Sequence, residues 1–442
     1  MSTSKMVVDD LSAMHAKYVL TPWIAQGNRK APVIVRGKGC YLYDDRDRRY
    51  LDFSAGLVAV NLGHAHPGVA RAIAEQAHRL TYAAPSFAND KRAELARAII
   101  ELAPWSEAGR VFFTTGGGEA NEDAMKFART LTGRHKIMTA YRSFHGSAPG
   151  AGTLSGENRR WPNEPGIPGV VRFFAPFPYR SPFHTRAASE ETQRAIEHLE
   201  TIITYEGANN IAALLIEPVV GSNGVIVYPD DYLRRVREVC DRHGILLIFD
   251  EVMTGFGRTG APFASQRFDV TPDMFSFAKG VTSAYVPLGG VALRESLASY
   301  FDERALPSGH TFSGHPLAMA AGLATLRAYD DERLFEHARE LEGQLRERFE
   351  ALQRAHRVVG EVRGTGAFFG IELVADRESR TPLVPWQGAR SLADFFGSLV
   401  ERGLYVLGRY NVAIVAPPLI ITPGELDEAF AILDDALDAL ER

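Results

Sequence analysis

The chain has 442 residues, 45% apolar and 23% charged, enough for one large core and a smaller second one, since single cores stop growing at roughly 250–300 residues. Its formal net charge is −5 with no long block of like charges, which excludes an electrostatic footprint for nucleic acid or an acidic membrane surface and points to small metabolites as partners. Cys40 and Cys240 are the only cysteines, too few for a disulfide framework or a zinc cluster.

The first 30 residues carry several charges and no apolar segment ahead of a small-residue cleavage site. No stretch of about 18 apolar residues occurs anywhere, so the expectation is a soluble, cytoplasmic protein in a reducing compartment, without membrane association. Residues 1–60 read as an N-terminal arm. Within it, Tyr41–Asp45 and Arg49–Phe53 flank a polar tip and predict a hairpin. Residues 61–315 alternate short apolar runs with amphipathic segments, the pattern of a mostly parallel sheet covered by helices in a large domain. Strands are predicted at Arg110–Thr115, Lys136–Tyr141, Ile211–Ile216, Ile245–Asp250, Met274–Ala278 and Gly290–Leu293. The run Ile211–Ile216 leads into a helix with Leu233, Val236, Val239 and Cys240 on one side, stopped by Gly244, which makes a βαβ crossover. Gly156–Pro182, rich in proline, arginine and aromatics, reads as a long ordered loop. Residues 316–442 are helix-rich and predict a small α/β domain packed with the arm. They include an amphipathic helix at Glu332–His356, a strand at Phe368–Leu373 and a last helix at Gly424–Leu440 behind Thr422-Pro423.

In open α/β sheets ligands gather beyond the carboxyl ends of the strands, and Thr115, Tyr141, Glu217, Asp250 and Lys279 all fall at such ends. Asp250 closes an all-apolar strand, so its carboxylate needs a partner: an arginine such as Arg258, or a cationic ligand. Lys279 follows 29 positions later in Phe277-Ala278-Lys279-Gly280, an apolar setting that lowers its pKa and frees the amine. A carboxylate and an amine so placed suit the two ends of a pyridoxal ring, the acid keeping the ring nitrogen protonated and the amine condensing with the aldehyde. Gly116-Gly117-Gly118-Glu119-Ala120-Asn121 opens a helix after an apolar strand and is either a tight turn or a phosphate site made of main-chain amides. Its spacing matches neither G-x-G-x-x-G nor the Walker loop. Phe144, in Tyr141-Arg142-Ser143-Phe144-His145-Gly146, is either core or an aromatic cover for a flat cofactor. Val252 lies on the same side of the chain as Asp250 and suits the opposite ring face. His64-Ala65-His66 lacks a carboxylate or cysteine nearby in sequence, and no metal is expected.

These residues resemble class III, or ω-type, aminotransferases of PLP fold type I, over nearly the whole chain. The resemblance rests on Phe249–Gly260, on the spacing to Ala278-Lys279-Gly280, and on His310-Thr311-Phe312-Ser313-Gly314-His315-Pro316. It implies pyridoxal 5′-phosphate held covalently by Lys279, with Asp250 on the pyridine nitrogen and Gly117 and Gly118 on the phosphate. It further implies Phe144 and Val252 on the two ring faces, with His145 and Glu217 nearby. Thr311 would reach the phosphate in a neighbouring subunit, so a homodimer or dimer of dimers with shared sites is implied. By family position Trp23, Val58 and Phe87 would line the donor pocket. Arg409, in Leu407-Gly408-Arg409-Tyr410-Asn411, is either a solvated surface arginine or the group whose guanidinium grips the substrate anion through two bonds. The sequence departs from the common pattern at Gly116 and Gly118, which replace hydroxyl- or methyl-bearing residues, and at Phe144, where a tyrosine is frequent. Ser222 stands where 4-aminobutyrate and ornithine enzymes carry a glutamate that masks an arginine. The reaction implied is ping-pong transfer of an amino group from a taurine- or β-alanine-type donor to pyruvate. The alternatives are a 4-aminobutyrate, diamine or other amine transaminase using 2-oxoglutarate, or an aminomutase on the same scaffold.

Overall fold

Ile211–Ile216 is apolar at every position and buried at every position, which only a sheet covered on both faces can accommodate. The computed structural model describes residues 11–27, 31–185, 187–385 and 392–442; the first ten residues of the expected arm lie outside the described residues. In it, Ile211–Ile216 belongs to a seven-stranded sheet. The order runs Gly109–Thr114, Gly289–Arg294, Met274–Phe277, Leu246–Asp250, Ile211–Ile216, Lys136–Ala140 and Val170–Phe173. Only Gly289–Arg294 runs against its neighbours. Each fully buried Leu, Ile or Phe contributes roughly 1.5–3 kcal/mol, so the sheet interior dominates the stability of this region.

The strands of this sheet match the sequence reading to within a residue, with one correction. Gly156–Pro182 is not only loop: it contributes Val170–Phe173, which pairs in parallel with Lys136–Ala140 as the edge strand. This strand is four residues long, carries Arg172 and is only partly buried, so no continuous apolar run marks it. The crossover helix forms at Tyr232–His243 with Leu233, Val236, Val239 and Cys240 buried. It stops at Gly244, whose φ of 58° is the left-handed conformation that glycine adopts without a Cβ penalty.

The hairpin forms at Tyr41–Asp44 and Arg49–Asp52, its turn held by Asp44 Oδ1, which accepts from the amides of Arg46 and Arg48. Leu404–Tyr405 adds to this sheet in parallel beside Arg49–Asp52, tying the two ends of the chain together. A second antiparallel sheet contains Val359–Thr365, Phe368–Asp376, Val412–Val415 and Leu407–Arg409. Helices Leu334–Ala355 and Pro423–Glu441 accompany it. The second begins with a reciprocal cap in which Thr422 Oγ1 accepts from Glu425 N and Glu425 Oε2 accepts from Thr422 N, worth about 1 kcal/mol. No described helix is long and apolar enough to cross a membrane.

Candidate active site

Because the parallel strands point one way, the loops leaving Leu246–Asp250, Ile211–Ile216, Lys136–Ala140 and Met274–Phe277 emerge on one edge of the sheet. They surround a cleft of about 370 Å³ lined among others by Gly117, Gly118, Phe144, His145, Glu217, Asp250, Val252 and Lys279. Thr115 also lines it, whereas Tyr141 turns away and stacks on Phe174 at 4.8 Å. Four of the five strand-end positions therefore meet in one place.

Asp250 forms the floor and is buried. Its Oδ2 lies 2.7 Å from His145 Nδ1 and 2.8 Å from Asn121 Nδ2, and its Oδ1 accepts from Val252 N at 3.1 Å. A carboxylate only accepts, so Nδ1 carries the hydrogen. Asn121 is held in turn: its Nδ2 also reaches His145 O and its Oδ1 accepts from Ser276 Oγ at 2.6 Å. Thr139 Oγ1 lies 3.2 Å from His145 Nε2. Every member is buried, and such a network fixes its carboxylate in one orientation. Asn121 escaped the sequence reading; the only available signal was its place one turn into the glycine-opened helix. Arg258, the alternative partner for Asp250, is engaged elsewhere, donating to Asn61 Oδ1, Ala367 O and Pro417 O.

Lys279 sits two residues past Met274–Phe277 with φ 49°. Burial of the amine pulls its pKa down to about 8, against the opposing pull of the Asp250 and Glu217 carboxylates. Glu217 is buried and accepts from Phe144 N at 2.9 Å and Gly221 N at 2.8 Å, so it fixes the loop that carries the aromatic. Burial pushes its pKa up to about 7, with His145 opposing and Asp250 assisting the rise. Glu251 is likewise raised to about 7 by burial, but it faces away from this chemistry and accepts from Ala264 N, Ser265 N and Thr254 Oγ1.

The helix Gly117–Thr132 enters the cleft at its N-terminus, with Gly116 as an N-cap that supplies no side-chain cap. The first amides are thus free to meet an anion at the positive end of the helix. A Cβ on Gly117 would lie 2.7 Å from Val252 Cγ2, so only glycine allows this approach. An amine, a carboxylate held for a cationic ring atom, an uncapped helix start and two flanking side chains together fit pyridoxal phosphate.

The remaining predicted residues are dispersed. Trp23 meets Phe144 edge-on at 6.3 Å, and buried Val58 adjoins Ala59, which lines the cleft. Arg409 pairs with Glu157 and donates to Asn158 Oδ1 at 2.7 Å. Phe87 is 67% exposed, and Thr311 is exposed, its carbonyl accepting from Tyr82 OH; neither lines the cleft within one chain. His64 and His66 do not converge: they pair separately with Asp52 and Glu332. Sequence reading also missed Arg159, whose guanidinium lies 3.7 Å over the Phe144 ring.

Residues 24–437 match the family described as aminotransferase class-III. The chain is similar in structure to the taurine:2-oxoglutarate aminotransferase of Bifidobacterium kashiwanohense in complex with PLP and glutamate, with a TM-score of 0.95, 40% identity and 97% of each chain covered. It is also similar to an (S)-enantioselective ω-transaminase from Thermomicrobium roseum, with a TM-score of 0.92 and 36% identity over 97% of this chain and 98% of that one. A probable aminotransferase of Mycobacterium tuberculosis is 38% identical over 419 residues, covering 92% of this chain and 89% of the relative.

Proposed function

Because the chain belongs to the class-III aminotransferase family, we propose that it moves an amino group from an ω-amino acid of the taurine or β-alanine type to pyruvate, in two half-reactions. Pyridoxal 5′-phosphate is the cofactor of this family; bound, it supplies the electron-withdrawing ring through which the nitrogen passes between donor and acceptor. The observation that carries the reading is Lys279 in the same cleft as Asp250, whose carboxylate is held by three donors.

The chain's own groups divide the work. Lys279 Nζ, with a pKa near 8, is matched to taking a proton from the donor carbon and returning it, because a base works best near its operating pH. Asp250 offers a fixed negative charge to the ring nitrogen, and His145 and Asn121 keep it aimed. The amides of Gly117 and Gly118 take the phosphate, and Phe144 and Val252 hold the two faces. Trp23, Val58, Phe87 and Arg409 form the substrate end in this reading. Thr311 and Phe87 do so across a homodimer. The exposed aromatics Tyr82, Phe87 and Phe312 on the same side as Thr311 support such an interface, since contiguous exposed apolar surface marks association.

A second reading, with 2-oxoglutarate as acceptor, is favoured by the likeness to the taurine:2-oxoglutarate enzyme. Half-reactions separate the two. Bleaching of the bound cofactor by taurine or β-alanine, then recovery with pyruvate and not with 2-oxoglutarate, is the expected result. Recovery with 2-oxoglutarate alone moves the assignment to the second reading. Bleaching by 4-aminobutyrate or diamines but by neither proposed donor overturns the donor class, and product without any oxo acid would indicate an aminomutase.

A further inference from the structure

We propose that His356, Asp438 and Glu441 form a site for one divalent transition cation of the zinc type, which fastens the last helix of the chain to the turn beneath it. The inference stands apart from the reading of the cleft.

His356 ends the helix Leu334–Ala355, its amide donating to Leu352 O at 2.9 Å, and the strand Val359–Thr365 follows directly. The last helix, Pro423–Glu441, brings Asp434, Asp438 and Glu441 to this turn. Their i, i+4, i+7 spacing sets the three carboxylates on one helix face. The imidazole between them is only 3% exposed. Its Nε2 lies 2.8 Å from Asp434 Oδ1, and because a carboxylate only accepts, Nε2 carries the hydrogen. The other ring nitrogen, Nδ1, is buried and makes no hydrogen bond. It faces Asp438 Oδ1 at 3.7 Å and Glu441 Oε2 at 3.6 Å. Glu441 is held in this position by its other oxygen, which accepts from Val358 N at 2.8 Å.

A buried lone pair facing two carboxylates is repelled by both and costs free energy until something positive stands between them. A second proton on the ring fits poorly, since a hydrogen bond would draw one oxygen to within about 3.2 Å, and both stand off at nearly equal distance. Metal bonds of about 2.0–2.2 Å at tetrahedral angles set neighbouring ligand atoms roughly 3.3–3.6 Å apart, close to the spacing found. All three ligand atoms lie within 4.8 Å of one another. Asp434 on Nε2 completes the carboxylate–histidine–metal arrangement that fixes the tautomer of a ligating imidazole. Charge argues the same way. The acids crowd the negative end of a helix whose last turn has no basic residue. No lysine or arginine among the described residues pairs with any of the three, and Arg377 beside the turn donates instead to the carbonyls of Gln353, His356 and Val359. A dication neutralises the two ligand carboxylates, and the imidazole favours a borderline ion such as Zn²⁺ over Mg²⁺ or Ca²⁺, which take oxygen ligands. Asp438 is 56% exposed, which leaves the fourth position to water.

The test strips the holoenzyme of metal with a chelator and titrates it with Zn²⁺, reading bound Zn²⁺ per chain and the midpoint of thermal unfolding. Wild-type protein should take up one equivalent at this site, and its midpoint should climb with Zn²⁺ concentration, as binding to the native state requires. In His356→Gln and Asp438→Asn that equivalent should be lost, with affinity down at least about 100-fold. Asp434→Asn should cost about 10- to 100-fold, the range of an outer partner. Asp435→Asn, which alters a neighbouring exposed acid outside the set, should bind as wild type does. Acidification should release the ion, because its ligands must be deprotonated. Co²⁺ in place of Zn²⁺ should give the visible absorption of a tetrahedral centre in wild type and none in Asp438→Asn. The exposed Asp438 keeps the test decisive should His356→Gln fail to fold. A wild-type protein that retains no equivalent and unfolds at the same midpoint with or without Zn²⁺ would make His356 the protonated centre of an ion-pair cluster and overturn the site. An equivalent undiminished in Asp438→Asn and Asp434→Asn would place the ion elsewhere and overturn it equally.

Discussion

The floor and the mouth of the cleft are built in opposite ways. At the floor, Asp250, His145, Asn121 and Ser276 are buried, and Asp250 is matched donor for acceptor on elements locked into the seven-stranded sheet and its first helix. At the mouth, Trp23, Phe144, Arg159, Glu157, Ser222 and Arg409 come from loops and short segments far apart in sequence, and their charges do not balance. A saturated network has one arrangement and suits chemistry common to many substrates. An unbalanced, partly exposed cluster responds to what enters it and suits selection among substrates. Substitutions at the floor should therefore act on turnover of every donor, and substitutions at the mouth on the ranking of donors.

Lys279→Ala tests the floor most severely. Activity should fall by roughly four powers of ten with every donor, the upper end of what a positioned proton-transfer group contributes, and the visible absorbance of bound cofactor should vanish. A yellow variant still sensitive to borohydride would place the attachment elsewhere. Asp250→Asn should retain cofactor but lose about 100- to 1,000-fold in turnover, again for all donors, because a fixed charge is replaced by a neutral amide. Near-normal activity would remove the electrostatic role from this residue.

The distinction also explains what was legible in the sequence. The floor could be read: Asp250 ends a continuous apolar run, Lys279 follows at a recognisable spacing, and the glycines precede an amphipathic helix, all local patterns. The sheet, the hairpin and the capped last helix were legible for the same reason, since side-chain period and cap residues are properties of neighbours in sequence. Asn121 was missed because its partners, Asp250 and Ser276, are brought to it only by strand order. Arg159 and Glu157 were missed because they lie in a segment without periodicity, where an arginine looks like any solvated surface charge. The edge strand Val170–Phe173 was hidden in the same segment.

Titration offers a further handle on the floor. The Lys279 amine is held near 8 rather than the ordinary 10.5. Only the neutral amine can condense with an aldehyde, so the rate of cofactor capture by the apo-protein should rise tenfold per pH unit below 8 and level off above it. Between pH 6 and 8 this amounts to about 50-fold, from the position of the pKa alone. The sign for stability runs the same way. Between about 8 and 10.5 the native state binds fewer protons at this site than the unfolded chain, so the contribution of this group becomes more favourable as pH rises. A capture profile breaking near 10.5 would show that the amine is not enclosed as described.

Ser222→Glu probes the mouth with the smallest expected effect. Ser222 Oγ accepts from Arg159 Nη2 at 2.7 Å, and a carboxylate at this position would give the guanidiniums of Arg159 and Arg409 two counter-charges in place of Glu157 alone. The positive charge left over for a substrate would then be gone. Binding of taurine, β-alanine and 2-hydroxyethanesulfonate should weaken about tenfold, or about 1.4 kcal/mol, while 1-aminopropane should bind no worse and could gain from the neutralised surface. Cofactor absorbance should be unchanged, since no member of the floor is touched. The comparison turns on the difference between donors. If Ser222→Glu weakens neutral and anionic donors alike, the mouth acts through its shape, and charge imbalance is not the source of selectivity. If anionic donors alone suffer, the substitution has converted an anion-seeking mouth into a balanced one without disturbing the chemistry beneath it.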